Sequence, residues 1–375
     1  MHFAQTLARY HTLESKVLPD GQRYAVKRGL RGYPLHPGVA LLLGLGLKGD
    51  TLLDASGSGG LVALASRAKR KRVLESSQAA LECARWTFTE RDAAGAEGEV
   101  ELVAGAPWDA PLESADVVVL APQTDRGSAR VQAELVGAQR ALHPGGAAYF
   151  AMHKDQGAKR YEKLAQTLFG EVTVLAREGG WRVVRATKRL SAPLEVAPLS
   201  FSAAGLSLQA EPGVFAAGKL DPGTARLLDA LSLTRFAGQR LLELGCGYGV
   251  LALKASLAGA EVTAVDDDLL AVRATHRNAQ HYGADVRALH SDVDSAVQGE
   301  TFDTVLMNPP FHVGKQVVLD VPRAFLAAAY ERLVPGGTLV LVANRALPYE
   351  RELTGFARHD CLFADAQFKV LRAVR

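Results

Sequence analysis

Residues 241–251 read Leu-Leu-Glu-Leu-Gly-Cys-Gly-Tyr-Gly-Val-Leu. The apolar residues before the first glycine are typical of a short buried strand that carries Glu243 near its end. Three alternating glycines follow, and glycine allows both positive φ and a close approach of the backbone to a ligand. The residues after the last glycine predict a helix, Val250 to Leu257. A strand, a glycine turn and a helix in this order indicate an α/β nucleotide-binding fold.

A cluster of carboxylates follows the next predicted strand. Residues 261–266, Glu-Val-Thr-Ala-Val-Asp, form an apolar run with Asp266 at its tip. A carboxylate in this position of dinucleotide-binding folds accepts hydrogen bonds from ribose hydroxyls. Asp267 and Asp268 follow at once, but we assign the ribose to Asp266, because it comes first after the apolar run. Capping of the following helix is an alternative role that can coexist with the first.

The third motif, residues 308–312, reads Asn-Pro-Pro-Phe-His and directly follows another apolar strand. The Asn308 side-chain oxygen and the Pro309 carbonyl are two acceptors that can hold both protons of a planar amine. The Phe311 ring can stack on the flat group that carries this amine. The motif therefore favours methylation of an exocyclic amine on a nucleobase or of a side-chain amide. By itself it is also compatible with an ordinary proline turn, and His312 is a further candidate for a base.

Length and composition set the class of protein. A chain of 375 residues with 48% hydrophobic residues favours two ordinary globular domains. The longest apolar run, residues 39–47, is shorter than the ~20 residues that span a bilayer, and the N-terminus shows no signal pattern. Cys83, Cys246 and Cys361 are too widely spaced to indicate a disulfide framework or a zinc site. We therefore expect a soluble cytoplasmic protein without a metal.

The two halves of the chain repeat one plan at an offset of about 190 residues. The matching segments are 49–54 with 238–243, 115–122 with 302–309, and 142–146 with 333–337. Because strand and helix signals alternate in each half, we predict an α/β fold of two tandem Rossmann-like domains that arose by duplication. The domains are predicted at 1–190 and 200–375, with a proline-containing linker at 191–199.

The N-terminal copy has lost the chemical motifs. Residues 56–60 read Ser-Gly-Ser-Gly-Gly where the C-terminal copy has its three alternating glycines. Ala121 replaces the Asn308 acceptor, and no aromatic residue follows the proline. Glu75 could still imitate the ribose-binding acid, so residual nucleotide binding stays open. We predict that this degenerate copy supports folding.

Residues 200–375 resemble the Rossmann-like S-adenosylmethionine-dependent methyltransferases, and in particular the family that methylates guanine N2 in small-subunit ribosomal RNA. The landmarks are the glycine turn, Pro212-Gly213-Val214-Phe215, Leu220-Asp221 with Gly223, Asn308-Pro309-Pro310-Phe311-His312, Val342-Ala343-Asn344 with Leu347-Pro348-Tyr349, and Phe368-Lys369-Val370. The family likewise pairs a degenerate N-terminal domain with an active C-terminal one.

The resemblance implies S-adenosyl-L-methionine as cofactor and 16S rRNA or the small ribosomal subunit as partner. Asp292 would accept from the adenine amino group beside the Val293 backbone, and an approach segment would close over the cofactor. We assign catalysis to Asn308, Pro309 and Phe311. The residues assigned to the cofactor are Phe215, Asp221, Glu243, Gly245, Gly247, Gly249, Asp266, Asp267, Asp292, Val293 and Asn308.

Positive charge is concentrated in the N-terminal part of the chain. Residues 1–72 carry 12 Lys and Arg against 4 Asp and Glu, whereas residues 191–375 carry 17 against 20. This excess and the family resemblance together favour docking of RNA by the N-terminal copy, and a solvated basic surface is the alternative interpretation. The candidates for RNA contacts are Arg67, Lys69, Arg70, Lys71, Arg72 and Arg345. Tyr349 lies in the same predicted loop as Arg345.

Three other functions remain open at this point. A methyltransferase could act on another planar nitrogen, such as adenine N6 in DNA or a protein glutamine. A nicotinamide oxidoreductase also uses a glycine turn, but the Asn-Pro-Pro-Phe motif has no role there. A non-catalytic RNA-binding assembly factor would not need the intact glycine turn, Asp266 and Asn308. We expect a monomeric enzyme that does not associate with a membrane.

Overall fold

The structure is a computed structural model that describes residues 3–31, 33–92, 98–191, 195–231, 237–310 and 320–375. Two compact units divide the chain. One unit is Leu13–Ala197, and the other is Pro198–Arg375 together with Met1–Thr12. Among the helices in the described ranges, none has the length and apolar character needed to cross a bilayer.

The elements are numbered in chain order. The helices are α1 Phe3–His11, α2 Pro37–Leu43, α3 Leu61–Ala65, α4 Gln78–Asp92, α5 Ser128–Ala141, α6 Ala158–Phe169, α7 Pro222–Leu231, α8 Val250–Leu257, α9 Leu269–Tyr282, α10 Asp320–Arg332 and α11 Tyr349–Glu352. The strands are β1 Glu14–Val17, β2 Arg23–Val26, β3 Thr51–Ala55, β4 Arg70–Glu75, β5 Glu99–Ala104, β6 Ala115–Leu120, β7 Leu142–His153, β8 Gly170–Glu178, β9 Trp181–Lys188, β10 Leu199–Ala203, β11 Leu206–Ala210, β12 Arg240–Leu244, β13 Glu261–Asp266, β14 Val286–His290, β15 Phe302–Met307, β16 Leu333–Asn344, β17 Arg358–Ala364 and β18 Phe368–Val374.

Each unit is built on a seven-stranded sheet, and the two sheets have the same order. The N-terminal sheet runs β5-β4-β3-β6-β7-β9-β8, and the C-terminal sheet runs β14-β13-β12-β15-β16-β18-β17. In both sheets the first five strands in this order pair in parallel. The last two strands are joined to them and to each other by antiparallel pairs. The predicted duplication of one α/β domain is therefore confirmed.

Apolar residues on both faces of the strands explain the layered architecture. Leu52 and Leu53 are neighbours in β3, yet each belongs to a different hydrophobic cluster. Successive side chains of a strand point to opposite faces, so both faces of the sheet must be covered. Residues of α3 and α4 cover one face of the N-terminal sheet, and residues of α5 and α6 cover the other.

Strand register brings the sequence motifs of the C-terminal sheet to one edge. Leu244 lies opposite Met307 in the parallel pair β12 and β15. The glycine turn and Asn308, which follow these two residues, are therefore adjacent. Because β12 continues to β13 on one side while β15 lies on its other side, this is the topological switch point, where open α/β sheets bind their ligands.

The first helix corrects the predicted domain boundary, because α1 belongs to the C-terminal unit and not to the N-terminal one. The Phe3 ring stacks on Tyr330 of α10 at a centroid distance of 4.7 Å and meets Phe356 edge-on at 5.5 Å. Phe3 and Leu7 are buried in the core of this unit. The C-terminal unit is thus discontinuous in sequence, with residues 13–197 between its two parts.

We predict that Phe3→Ala lowers the free energy of unfolding of the C-terminal unit by about 3 kcal/mol, as expected for a buried Phe truncated to Ala. Chemical denaturation followed by far-ultraviolet circular dichroism measures this change. Leu362→Ala removes a side chain that is 38% exposed and serves as the control. A Phe3→Ala protein as stable as the Leu362→Ala protein would contradict the assigned docking of α1.

Candidate active site

A cleft opens at the switch point of the C-terminal sheet. Its walls come from the segment before α7, the end of β12, the glycine turn, the start of α8 and Asn308. The lining residues are Phe215, Ala216, Asp221, Thr224, Glu243, Gly245, Cys246, Gly247, Tyr248, Val250, Leu251 and Asn308.

The three glycines of the turn all have positive φ. Gly249 and Gly247 differ in what surrounds them. A Cβ on Gly249 would lie 2.7 Å from Thr275 Oγ1, so this glycine lets α8 begin close against α9. A Cβ on Gly247 would meet no described atom within 4 Å. The backbone at Gly247 is therefore open toward the cleft, as a ligand that approaches the main chain closely requires.

Asp266 ends β13 beside this turn, and both of its oxygens accept backbone hydrogen bonds. Oδ2 accepts from Gly247 N at 2.9 Å, and Oδ1 accepts from Asp268 N at 2.9 Å. Each carboxylate oxygen has a second lone pair, which leaves acceptors for two ribose hydroxyls. Asp268 is the residue that caps α9, since its Oδ1 accepts from Leu270 N at 3.1 Å. The predicted alternative, a cap at Asp266, is thus taken by Asp268.

Burial raises the pKa of Asp266 to about 7, and the charges of Asp268 and Asp267 act in the same direction. The N–H donors of Asp268 and Gly247 favour the ionised form and lower the pKa in part. Burial also raises the pKa of Glu243 and of the Cys246 thiol well above their ordinary values. Cys246 therefore stays a neutral thiol at physiological pH and is a poor nucleophile.

Glu243 lines the cleft but is also engaged in the fold. Its Oε2 accepts from Ala252 N at 2.8 Å, which satisfies an N–H in the first turn of α8. The residue is buried, with 2% of its surface exposed. Its structural contact and its assignment to the cofactor site are compatible, because the second carboxylate oxygen is a separate acceptor.

The orientation of Asn308 is fixed by two neighbours. Its Nδ2 donates to Asp221 Oδ2 at 3.0 Å and to Thr224 Oγ1 at 2.9 Å. A carboxylate can only accept, so the amide nitrogen must face Asp221 and the amide oxygen is the atom left for a donor. Asp221 in turn accepts from Thr224 N at 2.8 Å at the start of α7. Asp221, assigned to the cofactor, thus holds Asn308 directly.

A strained loop follows β14 on the other side of the turn. Asp292 is buried, and Val293 has a φ of 53°, which is unfavourable for a β-branched residue. Ser291 Oγ donates to Val293 O at 3.1 Å, and Asp292 N donates to Ser295 Oγ at 3.1 Å. Backbone strain that is held by hydrogen bonds is common at ligand sites.

The approach segment before α7 carries an exposed aromatic ring. Phe215 lines the cleft and is 63% exposed, which is unusual for a large apolar side chain. Tyr248 Oη donates to Lys219 O at 3.0 Å and ties the segment to the glycine turn.

Sequence reasoning missed three residues that build this site. Thr224 and Tyr248 make the contacts described above. Asn278 Nδ2 donates to Tyr248 O and to Gln209 O, each at 2.9 Å, and thereby joins the turn to β11. A signal was available for Asn278, since the chain contains only three asparagines, one of which is Asn308.

Some predicted residues fall outside the described part of the chain, and others are not among those that line the cleft. Phe311 and His312 lie outside the described residues, and so does part of the predicted linker, residues 192–194. Tyr349 is buried with 4% exposure in the core, which corrects its prediction as a loop residue within reach of RNA. Arg345 is exposed, and its Nη1 donates to Asp365 O at 2.7 Å.

The predicted basic run is not one surface. Lys71 is buried at 2% exposure, and its Nζ donates to Ser66 O at 2.9 Å, because the side chain belongs to the covered face of β4. Lys71 is therefore wrong as a phosphate contact. Lys69 pairs with Asp50 and Arg72 pairs with Glu101, each at 2.7 Å. Arg67 and Arg70 are exposed.

The equivalent edge of the N-terminal sheet is filled by its own side chains. A Cβ on Gly57 would lie 3.0 Å from Gln123 Nε2 and 3.5 Å from Arg31 Cδ. The Arg31 guanidinium donates to Ala121 O, at the position that corresponds to Asn308. Glu75 ends β4 as Asp266 ends β13, and its Oε1 accepts from Gly59 N at 2.7 Å. The acid contact has persisted while the space beside the turn has closed.

A known protein family matches each of the two units of the chain. The methyltransferase small domain family matches residues 38–185 and again residues 205–372. The chain therefore belongs to the methyltransferase small domain family. No group of three or more His, Cys, Asp or Glu side chains placed to hold a metal ion occurs among the described residues.

Individual proteins similar to this chain are methyltransferases that are named for ribosomal RNA. The solved 16S rRNA N2 G1207 methyltransferase (RsmC) of T. thermophilus, in complex with AdoMet and guanosine, is 38% identical, with 98% of each chain covered and a TM-score of 0.87. Ribosomal RNA small subunit methyltransferase C of Chromohalobacter salexigens is 45% identical over 192 residues, and that of Hahella chejuensis is 42% identical over 173 residues. The matched stretch spans 57% and 50% of these two curated relatives, and 50% and 45% of this chain. The predicted family resemblance is confirmed.

We predict that cofactor affinity weakens as the pH falls through about 7, because protonated Asp266 offers fewer acceptors to the ribose. With a pKa of about 7, the ionised fraction falls roughly tenfold between pH 8 and pH 6, and the apparent Kd should rise by about the same factor. Calorimetric titration with S-adenosylhomocysteine measures this change and should give one site per chain.

Asp266→Asn should remove the pH dependence, while Asp285→Asn, at an exposed loop position, should retain it. An equally steep pH dependence in the Asp266→Asn protein would show that another group titrates.

Proposed function

We propose that the chain transfers a methyl group from S-adenosylmethionine to the exocyclic N2 amine of a guanine in 16S rRNA. The single observation that carries this proposal is the fixed amide of Asn308, whose nitrogen is held by Asp221 and Thr224. The amide oxygen and the Pro309 carbonyl are then two acceptors at the end of one strand. The near full-length similarity to the T. thermophilus enzyme supports guanine N2 and 16S rRNA as the target.

The cleft fits the proposed cofactor. Gly247 leaves open space beside the backbone, Asp266 retains acceptors for two hydroxyls, and the exposed ring of Phe215 is available to cover a ligand. The carboxylate of the methionine moiety would meet the N–H groups at the start of α8. When bound, this cofactor supplies an electrophilic methyl group on a positively charged sulfur.

The chain's own residues would then position the amine. Asn308 Oδ1 and Pro309 O would accept its two protons, and this reduces the conjugation of the nitrogen lone pair with the base. Holding the nucleophile in line supplies much of the acceleration. The two oxygens also favour the positive charge that develops on the amine nitrogen. No strong base is needed, because the methylated ammonium product readily loses a proton to solvent.

The proposal also concerns the substrate and the setting. The N2 amine of a paired guanine is not accessible in a helix, so the target base must be unpaired or flipped. The enzyme is proposed to act as a monomer and without a metal. Action on ribosomal RNA would place it in the cytoplasm.

We predict that Asn308→Ala lowers the single-turnover rate by ~10²–10³-fold, because one preorganised contact to the transition state is lost. Cofactor affinity should change little. The measurement is the transfer of labelled methyl groups into small ribosomal subunits from cells that lack this enzyme, followed by identification of N2-methylguanosine. Gln280→Ala, at an exposed position of α9, is the matched loss of an amide and should have no effect.

Two results would count against the proposed function. Wild-type single-turnover activity in the Asn308→Ala protein would refute the amine-holding role. Label found in adenine or glutamine, with none in guanine, would move the enzyme to another class of planar nitrogen.

The N-terminal unit is proposed to dock RNA while the C-terminal unit carries out the reaction. Its space beside the glycine turn is occupied by Arg31 and Gln123, which argues against a second cofactor site. Its first part holds the excess of positive charge, and Arg67 and Arg70 are exposed. These two arginines are the members of the basic run that best suit phosphate contacts.

We predict that Arg67→Gln with Arg70→Gln weakens RNA binding and reduces the salt dependence of log K by roughly one to two units of slope, because two phosphate contacts are lost. Cofactor affinity should not change. Filter binding at several salt concentrations measures the slope. Arg351→Gln with Arg358→Gln removes the same charge from exposed positions of the C-terminal unit as the control. Equal slopes for both double variants would reject a docking role for the first pair.

A further inference from the structure

The last residue of α1, His11, reaches the strained loop that follows β14. Its Nε2 donates to Asp294 Oδ1 at 3.2 Å, and its Nδ1 lies 3.6 Å from Asp292 Oδ2. The ring therefore lies between two carboxylates that flank Val293. Asp292 is the residue assigned to the adenine amino group. A side chain of α1, which precedes the N-terminal unit in the sequence, therefore lies against the part of the candidate site assigned to adenine.

Both carboxylates are buried, so their orientation depends on the groups that contact them. Asp292 is 2% exposed and Asp294 is 1% exposed. Buried carboxylates are stable only when they are paired or hydrogen-bonded. Arg332 of α10 approaches Asp294 from another direction, with Nε 3.2 Å from Oδ2. His11 and Arg332 thus hold Asp294 from two different helices, and His11 alone of the two also lies against Asp292.

The position of His11 is fixed by the rest of its helix. Phe3 stacks on Tyr330, and a Cβ on Gly355 would overlap the Phe3 ring, so the start of α1 is closely packed. Leu7 continues the same buried face one turn later. His11 follows at the next turn on this face, since residues four apart along a helix lie one above the other.

We propose that α1 is a built-in part of the cofactor site, in which His11 acts as a positioning residue that fixes the loop of Asp292 and Asp294 for recognition of the adenine amino group. The inference rests on the proposed binding of an adenosine cofactor. It assigns to α1 a role in ligand recognition in addition to its packing. Loss of His11 would leave the loop in place but let the Asp292 carboxylate move.

The test compares two ligands that differ only at the group Asp292 would bind. S-adenosylhomocysteine carries the amino group, and S-inosylhomocysteine carries a carbonyl in its place, which a carboxylate disfavours. Calorimetric titration of the full-length protein should show that the wild type prefers the adenosine compound. His11→Ala should weaken binding of that compound by about tenfold, the scale of a hydrogen bond to a charged group. Its binding of the inosine compound should change less, so the preference shrinks.

Three further variants make the result specific. His11→Gln keeps an N–H donor and should restore most of the preference. His11→Leu keeps the helix and much of the side-chain volume, and it replaces the Ala variant if that protein does not fold. His359→Ala removes an exposed histidine on β17, at the opposite edge of the sheet from β14, and should behave as the wild type.

The outcomes separate the two proposals. A wild-type protein that binds no S-adenosylhomocysteine would refute the proposed function itself. A wild type with the expected preference, together with a His11→Ala protein that keeps it, would overturn the inference and leave the function standing. Equal weakening of both ligands in His11→Ala and His11→Leu would also overturn it, because a merely loosened fold does not discriminate between them.

Discussion

The hydrogen bonds from Asn308 Nδ2 to Asp221 and Thr224 are the contacts on which the candidate site depends. Asn308 follows β15, and the other two residues stand at the start of α7, so the contacts join the sheet to the approach segment. They also settle which end of the amide is free, since the Asp221 carboxylate can only accept. Parallel register then places this oxygen beside the glycine turn, because Leu244 lies opposite Met307. The fold itself thus fixes the orientation of the amide that is proposed to hold the substrate amine.

The two units show how one scaffold can keep its architecture while it loses this site. Their sheets have the same strand order, and in each the acid at the tip of the second strand accepts a backbone N–H from the glycine turn. That contact stabilises the turn and persists without a ligand. The acceptor and the open space are different, because Ala121 has no side-chain amide and Arg31 with Gln123 occupies the room beside Gly57. Structural contacts are retained by their effect on folding, and ligand contacts are retained only where the ligand binds.

The regular elements of the C-terminal sheet could be predicted from the sequence, and several contacts could not. Strand β13 and helix α8 have the predicted bounds, because an apolar run that ends at a group of carboxylates and a helix that begins directly after a glycine turn leave little choice. Tyr349 and Lys71 were predicted to be accessible but are buried. Their exposure is decided by what packs on them, and local sequence does not contain that information. The partner of Asn308 was equally hidden, since Asp221 is 87 residues away.

The placement of α1 was the least predictable feature. Nothing in residues 3–11 indicates that they pack in the C-terminal unit, although the whole N-terminal unit separates them from it in the sequence. A fragment of residues 200–375 lacks Phe3, which stacks on Tyr330, and His11, which contacts Asp294. Weak activity of such a fragment would therefore reflect a core and an adenine loop that are incomplete, and not only the loss of RNA docking. Removing the N-terminal unit while α1 is retained is the division of the chain that respects its packing.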